Sequence, residues 1–295
     1  MRSVHAALAV AGIVLSLAGI VRAQPPSADE LVKVKLLADT SAIEAGRSFT
    51  VGVLFTISPG WHIYWTNPGD SGTPTRVEFK LPAGFKAGPV QYPVPVKFKQ
   101  PGDIVGYGYT DQVLLTATVT PPADLKPGDT IPISAACDFL VCEKICLPGN
   151  AAPSLSLPVS KPEPANSELF GKWLKQVPVD SDSVGARASA AFDADTRQLT
   201  LRITWRRWAP VNPQWFPPAD ENLSFVMSNL ASAENLTIVT VKCSPLAGKA
   251  IDPNKTFESV LSYDGSNGLR AGIRVPFRLS PEQADAKADN AQPKD

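Results

Sequence analysis

Ile131-Pro132-Ile133-Ser134-Ala135-Ala136-Cys137-Asp138-Phe139-Leu140-Val141-Cys142 places an apolar or small residue at every odd position. A period of two over this length specifies a β-strand with one face turned to a core. Leu147-Pro148-Gly149 follows closely, so the chain should leave the strand near Cys142 and turn. Upstream, the same period recurs over residues 31–36, 49–55, 76–81 and 113–119. Asn67-Pro68-Gly69-Asp70 and Lys126-Pro127-Gly128-Asp129 lie between these runs, and both are turn sequences. From residue 30 to residue 157 the pattern predicts a sandwich of antiparallel strands.

Composition agrees. The 295 residues include 29 prolines, none of them in residues 1–23. That density is about twice average usage. Proline removes a backbone donor and clashes inside a helical turn, so long helices have little room. With 44% hydrophobic residues the chain can still bury a core. The class expected is all-β.

The amino terminus reads as a removable export signal. Arg2 supplies the positive start, residues 6–21 form an apolar run, and Val21-Arg22-Ala23 suits cleavage. The run is slightly short of the roughly 20 residues that a spanning helix needs, and no second run of spanning length follows. Cleavage after residue 23 takes two of the 28 basic residues and leaves the 28 acidic ones in slight excess. No basic surplus remains to neutralise phosphates, which argues against nucleic acid as a partner. The mature chain is expected to be exported, without stable membrane insertion, to a compartment where disulfides persist.

Organisation follows from the same signals. Residues 24–160 form the first β-sandwich. Residues 160–164 are proline-rich and polar and suit a linker. Asn166 is placed to cap a helix over residues 167–176, with Leu169, Phe170, Trp173 and Leu174 at helical spacing. A second, smaller β domain is expected over residues 165–280, with alternation at 198–205, 236–242, 257–262 and 269–279. Residues 281–295 lack an apolar anchor and read as a disordered tail. No repeat between the two halves is evident.

Four cysteines, Cys137, Cys142, Cys146 and Cys243, allow three pairings. On one strand, Cys137 and Cys142 would lie roughly 16 Å apart and on opposite faces. A bridge needs Cα atoms within about 7 Å, which disfavours that pair. Cys142 and Cys146, four apart, can bridge across a turn. Such a bridge closes a short loop and is worth roughly 2 kcal/mol, whereas a Cys137–Cys243 bridge would be worth roughly 4.8 kcal/mol. The short one is the candidate redox couple. The long one would be a structural staple, and its alternative is two free buried thiols. Lys144 favours a thiolate and Glu143 opposes it. An inert bridge pinning a turn, or soft Cu(I) held by two thiolates, are the competing readings of Cys142 and Cys146.

Three ordered motifs carry a resemblance: Gly60-Trp61-His62-Ile63-Tyr64-Trp65-Thr66-Asn67-Pro68-Gly69-Asp70-Ser71-Gly72, then Tyr107-Gly108-Tyr109, then the segment from Cys137 to Cys146-Leu147-Pro148. Together they resemble the amino-terminal periplasmic region of DsbD-type thiol:disulfide interchange proteins, nearest to the branch linked to suppression of copper sensitivity. The resemblance covers residues 31–159. It implies an immunoglobulin-like sandwich with Cys142 and Cys146 as the exchanging, protein-disulfide-reducing pair. It further implies a membrane-embedded thiol reductase and exported thiol or disulfide proteins as partners, and no cofactor. By matching position, Cys146 corresponds to the sulfur that forms mixed disulfides. The family's multi-span membrane domain and thioredoxin-like Cys-x2-Cys domain have no counterpart here, so the reducing partner is expected on another chain. The aromatic motif also has a bland reading, with Trp61, Tyr64 and Trp65 as core or corner residues. Its functional reading makes His62, Trp65, Asp70, Tyr107 and Tyr109 a cap or supporting layer over the cysteine pair. His62 is the only histidine after residue 23, so a histidine-rich metal site is excluded and no metal ligands are assigned. A non-catalytic exported sandwich with structural disulfides is the alternative function.

Overall fold

A computed structural model describes residues 26–100, 102–265 and 268–280. The signal read at residues 1–23 and the tail at 281–295 lie outside the described residues.

A one-turn helix, α1 (Ala28–Leu31), leads into the first group of strands. These are β1 (Val32–Ala38), β2 (Phe49–Ile57), β3 (His62–Gly69), β4 (Arg76–Lys80), β5 (Lys86–Ala87), β6 (Val96–Gln100), β7 (Ile104–Thr110), β8 (Gln112–Thr120), β9 (Thr130–Cys142), β10 (Cys146–Ala151) and β11 (Ser154–Pro158). One sheet runs β1-β2-β8-β5, and the other runs β10-β9-β3-β7-β6. The 13-residue β9 is the spine of the second sheet. On one edge it pairs with β3 and then β4, and on the other with β10 and then β11. Its odd-numbered residues Ile131, Ile133, Ala135, Cys137, Phe139 and Val141 all enter the core between the sheets, as the alternation predicts.

α2 (Ser167–Leu174) follows, shorter than read from sequence. Phe170 and Trp173 are buried as the spacing predicts, whereas Leu174 is exposed. Asn166 departs from the capping role. It sits in the left-handed region at φ 53°, makes no side-chain cap, and donates from Nδ2 to the Ala38 carbonyl at 2.8 Å. The proline-rich stretch before it is pinned to the first sandwich. Ser41 N–H donates to Glu163, and Ala165 N–H donates to Asp39.

Beyond it come β12 (Val179–Asp180), β13 (Ala186–Asp193), β14 (Gln198–Trp205), β15 (Gln214–Phe216), β16 (Leu223–Ala233), β17 (Leu236–Pro245), β18 (Thr256–Asp264) and β19 (Arg270–Arg278). Two four-stranded sheets, β12-β19-β18-β15 and β13-β14-β17-β16, enclose their own apolar core. Phe216, at the end of β15, leaves that core and joins the first one. Its ring lies edge-on to Trp65 at 6.0 Å and to Tyr107 at 5.3 Å.

Candidate functional site

β9 and β10 form a tight hairpin in which Cys142 and Cys146 face each other. Glu143 N–H donates to the Ile145 carbonyl, so the chain reverses over Lys144. Directly opposed residues of a non-hydrogen-bonded pair come within about 4.5 Å. Here the two Cα atoms are 4.2 Å apart and the sulfurs are bonded. Cys146 is exposed, whereas Cys142 has 0% exposure. Solvent therefore reaches one residue of the pair and not the other.

Strand register continues the row. His62 on β3 lies opposite Cys142, and Thr110 on β7 lies opposite His62. Paired residues share a face, so Cys146, Cys142, His62 and Thr110 line the side of the sheet away from the core. Val141, Ile63 and Tyr109 point the other way and belong to the core.

The row is covered at His62, while Cys146 and Thr110 at its two ends are exposed. The His62 ring packs on Phe98 at 4.1 Å and edge-on to Tyr64 at 5.2 Å. Gln100 Nε2 donates to the Tyr64 hydroxyl at 2.9 Å and approaches His62 Nε2 at 3.1 Å. Ser71 Oγ donates to Gln100 Oε1 at 2.9 Å, which orients the amide. In this network His62 Nε2 accepts, so the ring proton is assigned to Nδ1. Burial pushes the His62 pKa below its ordinary value and keeps the ring neutral.

The covering turn is built from residues 69–72. Asp70 N–H donates to the Val105 carbonyl at 2.9 Å, and its carboxylate accepts from Val105 N–H at 2.8 Å. Gly72, at φ +102°, lies flat on Tyr64; a Cβ there would stand 2.4 Å from the ring. Only glycine fits.

The proposed cap residues thus divide. His62 sits beside Cys142, and Asp70 belongs to the covering turn. Trp65, Tyr107 and Tyr109 instead face the core side, where Trp65 and Tyr107 meet Phe216 and the Tyr109 hydroxyl donates to the Pro93 carbonyl at 2.8 Å. Burial raises the pKa of Tyr107, with Asp70 adding to it, and raises that of Tyr109 well above the ordinary value. These three support the sheet from behind.

Cys137 and Cys243 form no staple. Both are free and buried, in separate cores, so the alternative of two unbonded thiols holds. Burial pushes each pKa up to about 12. Among the described residues, no three His, Cys, Asp or Glu side chains gather as metal ligands, and no helix is long and apolar enough to cross a membrane.

Phe98, Gln100 and Ser71 escaped the sequence reading. The alternation of Val96-Lys97-Phe98-Lys99-Gln100 marks a strand, but nothing local shows that it lies over the row beside Cys142.

Residues 28–158 match the family described as Thiol:disulfide interchange protein DsbD, N-terminal. Among solved structures, the chain is similar to the N-terminal periplasmic domain of ScsB from Proteus mirabilis. The identity is 19% and the TM-score 0.62, covering 85% of this chain and 94% of that one. This likeness supports the immunoglobulin-like fold expected from sequence. A protein of unknown function from Porphyromonas gingivalis W83 aligns over 84% of this chain and 99% of its own, at 11% identity and TM-score 0.23. Spo0M, a sporulation control protein from Bacillus subtilis, aligns over 84% and 90%, at 10% identity and TM-score 0.22. No curated protein matches the chain.

Proposed function

Residues 28–158 belong to the amino-terminal DsbD family, and on that premise we propose that the chain is a thiol-disulfide interchange module whose working pair is Cys142 and Cys146. The observation that carries the reading is the asymmetry of the bond: Cys146 is open to solvent while Cys142 is fully buried against it. A partner thiolate attacks Cys146 Sγ and forms a mixed disulfide. The Cys142–Cys146 bond breaks, its electron pair passes to Cys142 Sγ, and that sulfur takes up a proton. A second partner thiol then attacks the partner's own sulfur. It releases Cys146 as a thiol, so the pair is reduced and the partner oxidised. The reverse sequence delivers two electrons to a disulfide-bearing protein.

Cys137 and Cys243 stay out of this chemistry. A thiol with a pKa near 12 offers almost no thiolate at neutral pH. On this reading the chain works in the periplasm. It takes electrons from a membrane-embedded thiol reductase and passes them to exported thiol or disulfide proteins.

Equilibration of the Cys142–Cys146 couple with glutathione tests the reading. A potential above about −300 mV is expected of an exchanging pair, whereas a lower value would mark a purely structural bridge.

A further inference from the structure

We infer that the second β region latches the turn covering the exchange pair: Phe216-Pro217-Pro218 holds Asn67, and Asn67 holds residues 69–72 over the row beside Cys142. This rests on the reading of Cys142 and Cys146 as the exchange pair, and it gives the second region a part in the same machinery.

The contacts form a continuous series. Asn67 is 9% exposed, and its side-chain amide is used at both ends. Nδ2 donates to the carbonyls of Pro217 at 2.9 Å and Pro218 at 3.2 Å, while Oδ1 accepts from Gly69 N–H at 2.9 Å. Two consecutive prolines have fixed φ and no N–H, so they present carbonyls on a stiff segment. Phe216 anchors that segment between Trp65 and Tyr107 of the first sandwich.

Each residue of the turn then has its own tie. Gly69 is held by Asn67, Asp70 by Val105, Ser71 by Gln100, and Gly72 rests on Tyr64. Gln100 and Tyr64 surround His62, the residue opposite Cys142. Among the described residues, the Gly69 tie is the one that leads, through Asn67, to the second region. Breaking it should loosen the turn without touching the exposed sulfur. The device therefore governs access to Cys142 and leaves Cys146 alone.

The test uses single-thiol readouts in the full chain. In a Cys146→Ala background, adding Asn67→Ala should speed iodoacetamide labelling of Cys142 about tenfold, the low end of the scale expected for losing the three hydrogen bonds of the Asn67 side chain. In a Cys142→Ala background, Asn67→Ala should leave labelling of Cys146 unchanged. Hydrogen exchange at residues 69–72 of the disulfide-bonded protein should rise in Asn67→Ala. Phe216→Leu should shift it the same way to a smaller extent, which serves if Asn67→Ala folds poorly. Unchanged labelling and exchange in folded variants would overturn the latch, as would equal acceleration at both cysteines, which signals general loosening. The latch can fail while the glutathione potential still supports exchange, and the reverse also holds.

Discussion

Each β region carries one cysteine on an inner strand facing a core, Cys137 on β9 and Cys243 on β17, and both thiols are free and buried. The regions differ in what happens at the strand end. β17 ends at Pro245 and the chain turns away through Leu246. β9 reaches Cys142, whose side chain falls on the face opposite Cys137, and the hairpin returns Cys146 beside it. A cysteine's chemistry here follows from which face it occupies and how near it lies to a strand end. The same residue type is inert in one place and bonded at the surface in the other.

The largest contrast is in thiol reactivity. After mild reduction at pH 8, iodoacetamide should label Cys146, read by mass spectrometry. Cys137 and Cys243, with pKa values pushed to about 12, expose a thiolate fraction of about 10⁻⁴ and should stay unlabelled until the chain unfolds. Labelling of Cys243 at the Cys146 rate would erase the distinction.

Next comes Phe216, a residue of the second region that packs in the first core. Phe216→Ala should lower stability by roughly 3–5 kcal/mol in urea denaturation, the usual range for deleting a buried aromatic ring. Trp208→Ala, at a side chain 77% exposed in the second region, should stay within about 0.5 kcal/mol. Similar values for the two would mean that Phe216 is no core residue.

Glycines sharpen the contrast further. Gly72→Ala combines a positive φ with collision against the Tyr64 ring, and a loss of about 2 kcal/mol or more is expected. Gly248 of the second region also has positive φ, but nothing lies within 4 Å of its missing Cβ. Its alanine variant should lose only the backbone strain, about 1 kcal/mol. Thermal unfolding of the two variants checks the ranking.

The smallest effect is the pH dependence contributed by His62, the only histidine after residue 23. Burial depresses the His62 pKa from its ordinary 6.5. As pH falls below 6.5 the unfolded chain takes up the proton first, so the native state loses stability until its own lower pKa is passed. Above 6.5 the contribution is fully present. His62→Gln should flatten the stability profile between pH 5 and 6.5; an unchanged slope would show that His62 titrates freely.

The strands legible in sequence were those with one face on a core, β2, β8, β9, β14 and β17 among them. β3 was hidden because His62, Ile63, Tyr64 and Trp65 are all buried, which removes the alternation. Its Asn67-Pro68-Gly69 is a true turn sequence, yet it lies inside the strand. Tyr64 pairs with Gly108 and Gly69 with Gly106, so the residues between loop out of register. β16 was hidden for the opposite reason: most of its residues are exposed. A turn after Cys142 was legible from the cysteine spacing, but Leu147-Pro148-Gly149, read as its support, lies inside β10, and the chain reverses at residues 143–145 instead. The tie from Asn67 to Pro217 was not, because 150 residues separate the partners and neither has a local signature for the other. Nor did the two halves betray a repeat, although each folds as two facing sheets.

The central claim concerns which sulfur a partner can reach. Cys142→Ala and Cys146→Ala should each be reduced and mixed with an aromatic disulfide, and release of the coloured thiolate followed over time. The account predicts rapid formation of a mixed disulfide on Cys146 in Cys142→Ala, and a rate at least about 100-fold slower on the buried Cys142 in Cys146→Ala. Equal rates, or a faster reaction at Cys142, would contradict it.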